Sequence, residues 1–403
     1  MTEKRKENPA HKIKSIESEP QPVSPEENRE EGGRKWLRGA ISGMILLLVL
    51  AVVVLAAYRD GTGFDFLRRW IAYGDAEQAD AYAYDASGSN RFALVGKGMA
   101  VLSDTEFRVL GADGSIVFSK PLKMHAPALA AAGDLAVAYD VGGTELWLVN
   151  AAGEVLLHLE KEADLPLIAA SVNAAGYLAV TAEKDGCKGC VSVYDPEQTL
   201  IFEFNSVERF VAEARVAEDG RTVTAVTLGQ EDGTFVSRMV VYDLMKTEPQ
   251  AAWSVKDGVV LALHEMGGRM AAVCDTVLTY GDAKGAVYGQ YDYADAYLRD
   301  WAMGDNYAVL QLNRYYAGSI GRIVTVDGDG KELAELDVNE EVISISAAGR
   351  YIVVLYAGRL VIYSPELLEY ASLEGIDRAK DVLMCDDGTV LVLEAERATR
   401  FLP

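Results

Sequence analysis

The chain is poor in the side chains that chemistry uses most. Four cysteines and four histidines in 403 residues are too few for a disulfide framework or a histidine-rich metal site. Proline is scarce, and four of the eleven (Pro9, Pro20, Pro22 and Pro25) fall in the first 38 residues. Basic residues are outnumbered, 38 Lys and Arg against 61 Asp and Glu. Residues 1–38 hold nine basic and eight acidic side chains, which leaves 29 basic and 53 acidic in 39–403, a net charge of −24. Nucleic acid is excluded as a partner, because binding it requires Lys and Arg to displace phosphate counterions. Outside one apolar run there is no i, i+3, i+4 stripe of ten or more residues, which excludes helical solenoids. No Walker A, dinucleotide or G-x-S-x-G motif occurs, so no cofactor and no catalytic residue is expected.

The chain divides by composition into four segments. Residues 1–38 are charged, proline-bearing and almost free of large apolar side chains, so burial cannot offset the entropy of ordering them and a disordered tail is expected. Residues 39–58 read GAISGMILLLVLAVVVLAAY, twenty positions without a charge. At about 1.5 Å per residue they match a hydrocarbon core of roughly 30 Å, which predicts one transmembrane helix. The run is longer than the apolar region of a cleaved signal peptide, which favours an uncleaved anchor. Arg34, Lys35 and Arg38 precede it and only Arg59 follows it closely. That asymmetry predicts a cell-membrane protein with its N-terminus cytoplasmic and its C-terminal part extracytoplasmic. Residues 59–78 read as a juxtamembrane stalk.

From residue 79 to 403 short apolar runs alternate with Gly, Asp and Asn, and the pattern repeats every 30–45 residues. RFALVGKGMAVLSDTEFRVLGADGSIVFSKPL is followed by PALAAAGDLAVAYDVGGTELWLVNAAGEVLLHLE, then by IAASVNAAGYLAVTAEKDGCKGCVSVYDPEQTLIFEF. Each unit supplies four strands with turns between them. Seven units are complete, and DVLMCDDGTVLVLEAERATRFL supplies three strands more. Ala79–Asp85 can donate the missing strand, pairing the chain ends and hiding the sheet edges. The fold class is therefore all-β, a β-propeller of four-stranded antiparallel blades of the WD40 or quinoprotein kind, eight in number, or seven if Ala79–Asp85 is stalk.

The basic-flanked span, the stalk, and the runs RFALVGKGMAVLSD, HAPALAAAGDLAVAYDVGGTELWLVNAAGEV and SVNAAGYLAVTAEKDGCKGCVSVYD resemble a family of single-pass membrane-anchored β-propeller proteins of unknown function from Gram-positive bacteria. The Pro127–Thr144 run is the most distinctive part. The resemblance implies location and fold and assigns no catalytic residues. The chain is also distantly similar to quinoprotein-like propellers, whose fourth strands carry a Trp that docks neighbouring blades. Here Phe118, Leu157 and Leu333 or Ala334 stand near those places, and no quinone site is implied.

Cys187 and Cys190 form a C-x-x-C, which suits a redox couple or half a zinc site. Zinc needs two more ligands, and Cys274 and Cys385 lie singly in distant predicted strands, so no metal is expected. The pair sits in a hairpin, where it reads as a candidate disulfide or as two plain thiols. Asp327-Gly328-Asp329-Gly330-Lys331 resembles part of a calcium loop, but Glu332 comes too early for the distal ligand and the place coincides with a blade turn. His125, His158 and His264 fall in different repeats.

Seven of the twenty tyrosines lie between 288 and 316. Tyr291, Tyr293, Tyr297, Trp301, Arg314, Tyr315 and Tyr316 combine aromatic rings with a guanidinium, the side chains that dominate binding hot spots. Tyr291 and Tyr293 share a strand face, so packing between blades is their other reading. The expected function is a non-enzymatic scaffold whose partners are the membrane, through one helix, and an envelope or secreted protein. The alternative is a propeller enzyme or a sensor of a small ligand or glycan. An enzyme should bring carboxylates or an Arg cluster together in the central channel, whereas a scaffold should show an apolar patch on one face.

Overall fold

The computed structural model describes residues 43–52, 78–160, 165–256 and 258–403. Two compact units divide the chain, Met1–Leu67 and Arg68–Pro403. In the first, residues 43–52 form a helix whose side chains are all exposed, Met44, Leu46, Leu47 and Leu50 among them. The rest of the predicted span, 39–42 and 53–58, together with the tail 1–38 and stalk positions 59–77, lies outside the described residues. Among the described residues no helix is long and apolar enough to cross a membrane.

The second unit is an eight-bladed propeller of 32 strands in eight antiparallel four-stranded sheets. Blades 1 to 7 follow in chain order, with first strands Arg91–Val95, Pro127–Ala132, Leu167–Val172, Phe210–Val216, Val260–Met266, Tyr297–Met303 and Val342–Ala348. Blade 8 takes Asp381–Met384, Val390–Leu393 and Arg397–Phe401 from one end of the chain and Gln78–Ala83 from the other. Gln78 pairs with Phe401 and Ala83 with Arg397. The segment near residue 79 is thus a strand and not stalk, which decides for eight blades over seven.

Burial follows the pleat. Each middle strand is covered by neighbouring blades on both faces, and Gly98–Leu102 and Cys190–Tyr194 are buried throughout. Such strands read as unbroken apolar runs. Fourth strands form the outer edge, and in Val287–Asp292 exposed and half-buried residues alternate. The core is therefore a ring of eight apolar clusters, one between each pair of adjacent blades. Phe118 and Leu157, near the places of the quinoprotein tryptophans, are half-buried members of two of them. Trp253 of blade 4 lies so close over Gly281 of blade 5 that a Cβ there would stand 2.2 Å from its ring.

First strands of adjacent blades lie against one another around the axis. Because every blade is an antiparallel meander, the crossings into each first strand and the turns between second and third strands emerge on one side, here called the leading face.

Leu393 is buried in the cluster that joins blade 8 to blade 1. Leu393→Ala should cost about 3 kcal/mol, the usual range for a fully buried leucine. Urea unfolding of the variant checks it, and an unchanged midpoint would show that ring closure contributes nothing there.

Candidate functional site

The leading face gathers exposed apolar side chains over blades 4 to 7. Val207 and Phe210 belong to blade 4, Val259 and Leu261 to blade 5, and Ile343 to blade 7. Blade 6 contributes Tyr297, 45% exposed, and the loop 314–320 with Tyr315 at 56% and Tyr316 at 78%. The loop is built rather than loose. The Arg314 N–H donates to the Ile320 carbonyl at 3.0 Å, and buried Asn313 donates from Nδ2 to the Gly318 carbonyl at 2.7 Å. Tyr297 and Tyr316 meet edge to face with centroids 5.7 Å apart, and the Arg314 guanidinium lies 5.7 Å from the Tyr315 ring. The Lys188 ammonium, from a turn of blade 3, sits 5.1 Å from the Phe210 ring of blade 4.

Beside this patch stands a projecting hairpin. The second and third strands of blade 4, Thr222–Glu231 and Thr234–Asp243, run ten residues each, against four to seven in the other blades. Arg209 braces the hairpin by donating to the Val236 carbonyl at 2.5 Å and pairing with Glu231 at 3.2 Å. Other exposed apolar residues, such as Ile116, Val155, Leu200, Val287 and Leu333, recur in fourth strands around the whole circumference. They are a property of the blade, whereas on the leading face exposed apolar side chains concentrate over blades 4 to 7, with Val141 of blade 2 apart from them.

The seven residues singled out in the sequence separate into two groups. Tyr297, Arg314, Tyr315 and Tyr316 come together on the leading face. Tyr291, Tyr293 and Trp301 pack in the cluster between blades 5 and 6, with Tyr293 only 1% exposed. Tyr291 donates from its hydroxyl to Glu332 Oε2 of blade 6 at 2.7 Å. Two tyrosines two residues apart on an edge strand face the neighbouring blade together, and so they hold blades rather than ligands.

The channel wall is made of first strands. A register shift recurs there in blades 3 to 7, between Val211 and Glu213 and between Leu298 and Asp300 for example. In blades 4, 6 and 7 the residue after the shift reaches the next blade. Glu213 Oε1 accepts the Leu263 N–H at 2.5 Å, and Asp300 Oδ2 accepts the Ile345 N–H at 3.0 Å. Ser344 Oγ donates to Asp381 Oδ1 at 2.5 Å. Burial raises the Glu213 carboxyl despite the opposing Arg215 charge, and burial raises Asp300 despite two backbone N–H donors. These carboxylates serve as struts between blades.

The chain matches a family of unknown function (DUF5711) over residues 69–369. It belongs to that family. The match takes in blades 1 to 6 and most of blade 7. Among solved structures, the computationally designed Ika8 protein is 14% identical over 80% of this chain and 99% of its own, with a TM-score of 0.60. The C-terminal WD40 domain of Sif2 is 14% identical over 81% and 98%, at 0.58. The dihydro-heme d1 dehydrogenase NirN, solved in complex with DHE, is 14% identical over 72% and 67%, at 0.50. Identities this low show a shared propeller fold alone. No curated protein matches the sequence.

The family member's remaining motifs resolve into structure. In the Pro127–Thr144 run, buried Asp140 accepts the His125 and Ala126 N–H groups at 2.9 and 2.7 Å, which fixes the crossing into blade 2. Asp327 Oδ1 accepts the Asp329 and Lys331 N–H groups, both at 2.9 Å, and Gly330 has φ of 76°. Asp282 holds the matching turn of blade 5 in the same way, so the calcium-like residues are a repeated turn. No disulfide joins Cys187 to Cys190 in this structure. Cys187 lies in the turn, whereas the Cys190 side chain is buried in the blade with Sγ 4.0 Å from Ser192 Oγ.

The histidines remain apart. His158 stacks on Trp147 at 3.8 Å, His125 lies in a crossing, and His264 is half-buried on the first strand of blade 5, within reach of the Arg215 charge. Sequence reading noted His264 only as one of three histidines in separate repeats and passed over Arg215, because nothing in their spacing marks them. The available signal was their place after the strand shift, where most other blades have Ala or Ser.

Burial, with the Arg215 charge adding to it, pushes the His264 imidazole down to about 3. An unfolded imidazole titrates near pH 6.5. Below that pH the unfolded chain takes up a proton that the native protein refuses, so stability falls as pH drops from about 6.5 toward about 3. Glu213 and Glu265, both raised by burial, act in the opposite sense, so the histidine contribution is read as a difference. Between pH 8 and pH 5 it amounts to about 2 kcal/mol. His264→Gln should lose that much less stability than the parent over this range in urea titrations, and identical pH profiles would refute it.

Proposed function

We propose that this protein is a membrane-anchored, extracytoplasmic β-propeller that acts as a non-enzymatic scaffold, docking an envelope or secreted protein on its leading face. The observation that carries the reading is the concentration of exposed aromatic and aliphatic side chains over blades 4 to 7 of that face, with Val141 of blade 2 standing outside the arc. Exposed aromatic and aliphatic side chains gathered on one face, with an arginine beside the tyrosines, have the composition of a protein-binding hot spot. The loop that presents Tyr315 and Tyr316 is already ordered by Asn313, which reduces the entropy lost on binding. Channel carboxylates occupied as struts favour a scaffold over an enzyme.

Anchoring rests on the uncharged run 39–58 and on the exposed apolar side chains of its described helix. An uncovered run of leucine and valine is unfavourable in water and at home in lipid. The basic residues before the run support a cytoplasmic N-terminus, and the domain organisation follows as tail 1–38, span 39–58, stalk and propeller.

In-cell cross-linking of the full-length protein, followed by mass spectrometry, should return one reproducible protein attached through blades 4 to 7. Tyr315→Ala with Tyr316→Ala should reduce its recovery at least about tenfold, the effect of losing one hot spot, while leaving thermal stability unchanged. Recovery unaffected by the pair, or attachment spread evenly over all blades, would overturn the docking face. Carbonate washing should leave the protein in the membrane pellet, and protease added to intact cells should cleave the propeller. Release by carbonate would remove the anchor, and protection of the propeller would reverse the topology.

A further inference from the structure

We propose that the central channel holds a small oxyanion, such as a phosphate or carboxylate group, on the Arg215 guanidinium with His264 beside it. The argument begins with equivalence. In blades 3 to 7 the second residue after the first-strand shift is Ser171, Arg215, His264, Ala302 and Ser346. Counting back from the first hairpin places Ala93 and Ala130 there in blades 1 and 2. The residues in between, such as Ala214, Leu263 and Ile345, are buried in the inter-blade clusters, whereas Arg215, His264, Ala302 and Ser346 are half-buried on the opposite side of their strands, Ala302 at the rim of a cluster, and we place this side at the lumen. Around most of the ring the side chain is Ala or Ser, which leaves lumen. A cavity of about 440 Å³ opens on the same ring of first strands at blades 6 to 8, lined by Asp300, Ser344, Ser346, Lys380 and Asp381 among others and including neither Arg215 nor His264.

Hydrogen bonding separates Arg215 and His264 from the rest. Ser171 Oγ donates to the Ala214 carbonyl at 2.7 Å, and Ser346 Oγ accepts the Met384 N–H at 2.9 Å. Glu213, Asp300 and Ser344 are committed to the next blade. Among the described residues Arg215 has no ion-pair partner, and its Nε, shielded from solvent, has no hydrogen bond. An orphaned donor on a permanent cation costs about 1–3 kcal/mol or more, and a belt so consistently satisfied elsewhere does not leave one without use.

The chemistry selects an anion. Guanidinium is charged at all ordinary pH and matches a planar or tetrahedral oxyanion with two parallel N–H donors. The adjacent imidazole is neutral and keeps one N–H to offer. Glu213 turns Oε1 to the backbone, which holds its carboxylate to the wall. A metal cation is disfavoured by Arg215 itself.

The site is distinct from the docking face, so its test does not depend on that reading. The probe is inorganic phosphate added to the full-length protein in detergent, against chloride at equal ionic strength, with heat release and melting temperature as readouts. The parent should bind with a single saturable isotherm and melt higher. Arg215→Met should weaken binding at least about tenfold, one lost charge-assisted pair, while Arg215→Lys, which keeps the charge, should retain part of it. Arg221→Met, far from the channel on an 84% exposed side chain, should bind like the parent. A dicarboxylate run in parallel reports which oxyanion is preferred. Absence of saturable binding to either probe, or equal weakening by Arg215→Met and Arg221→Met, would overturn the proposal. If Arg215→Met fails to fold, Arg215→Lys and His264→Gln decide it, and parent-like binding in both would count against the site.

Discussion

The antiparallel pairing of Gln78–Ala83 with Arg397–Phe401 is the constraint on which the rest depends. No blade owns a complete core. Each apolar cluster draws its residues from two blades, and the one holding Met99, Leu110, Leu391 and Leu393 exists only if the last blade reaches the first. Tyr84 fastens the same junction by donating to the Glu394 and Arg397 carbonyls, both at 2.8 Å. Closing a loop of more than 300 residues is a slow entropic cost that grows only with the logarithm of its length. Leaving the ring open would expose two strand edges and one core face at once.

Closure also makes the blades equivalent, and equivalence gives meaning to departures from it. First strands of blades 3 to 7 share a shift, and in three of them the side chain just after it ties the blade to the next through Glu213, Asp300 or Ser344. Turns between third and fourth strands share an Asp or Asn that caps its own loop, as at Asn150, Asp282 and Asp327. Three features break the symmetry: the ten-residue strands of blade 4, the loop 314–320 of blade 6, and the charged pair of positions at Arg215 and His264. Regularity of this kind serves the ring. Function is read from what the ring does not need.

The propeller was legible in the sequence because its signals are local and repeated. Period-two apolar runs and Asp/Gly turns recur at each blade, and three orphan strands at the end imply a fourth at the start. The site was half legible. An Arg-Tyr-Tyr sequence at the tip of a glycine-bearing hairpin announces exposure, and 314–316 are exposed. Tyr293 and Trp301 carry the same side-chain chemistry but meet another blade, a fact decided by strand order and not by residue type. Val207, Phe210, Leu261 and Ile343 gave no signal at all, since each lies at the edge of an apolar run and reads as core. The channel was invisible for a related reason, because its residues come from first strands about 40 positions apart.

A net charge of −24 on 39–403 bears on how such a surface recognises a partner. Charge of one sign over most of the molecule repels other acidic proteins and suppresses self-association through the apolar patch. Cations placed within the patch then act as local exceptions. Arg314 lies near Tyr315 and Lys188 over Phe210, so two of its aromatic rings have a positive charge beside them. On the proposed function, an apolar surface presented this way favours a partner that brings its own apolar anchors without a strongly acidic surface, and turns away a second copy of the same chain. Long-range repulsion and short-range adhesion thus select in the same direction.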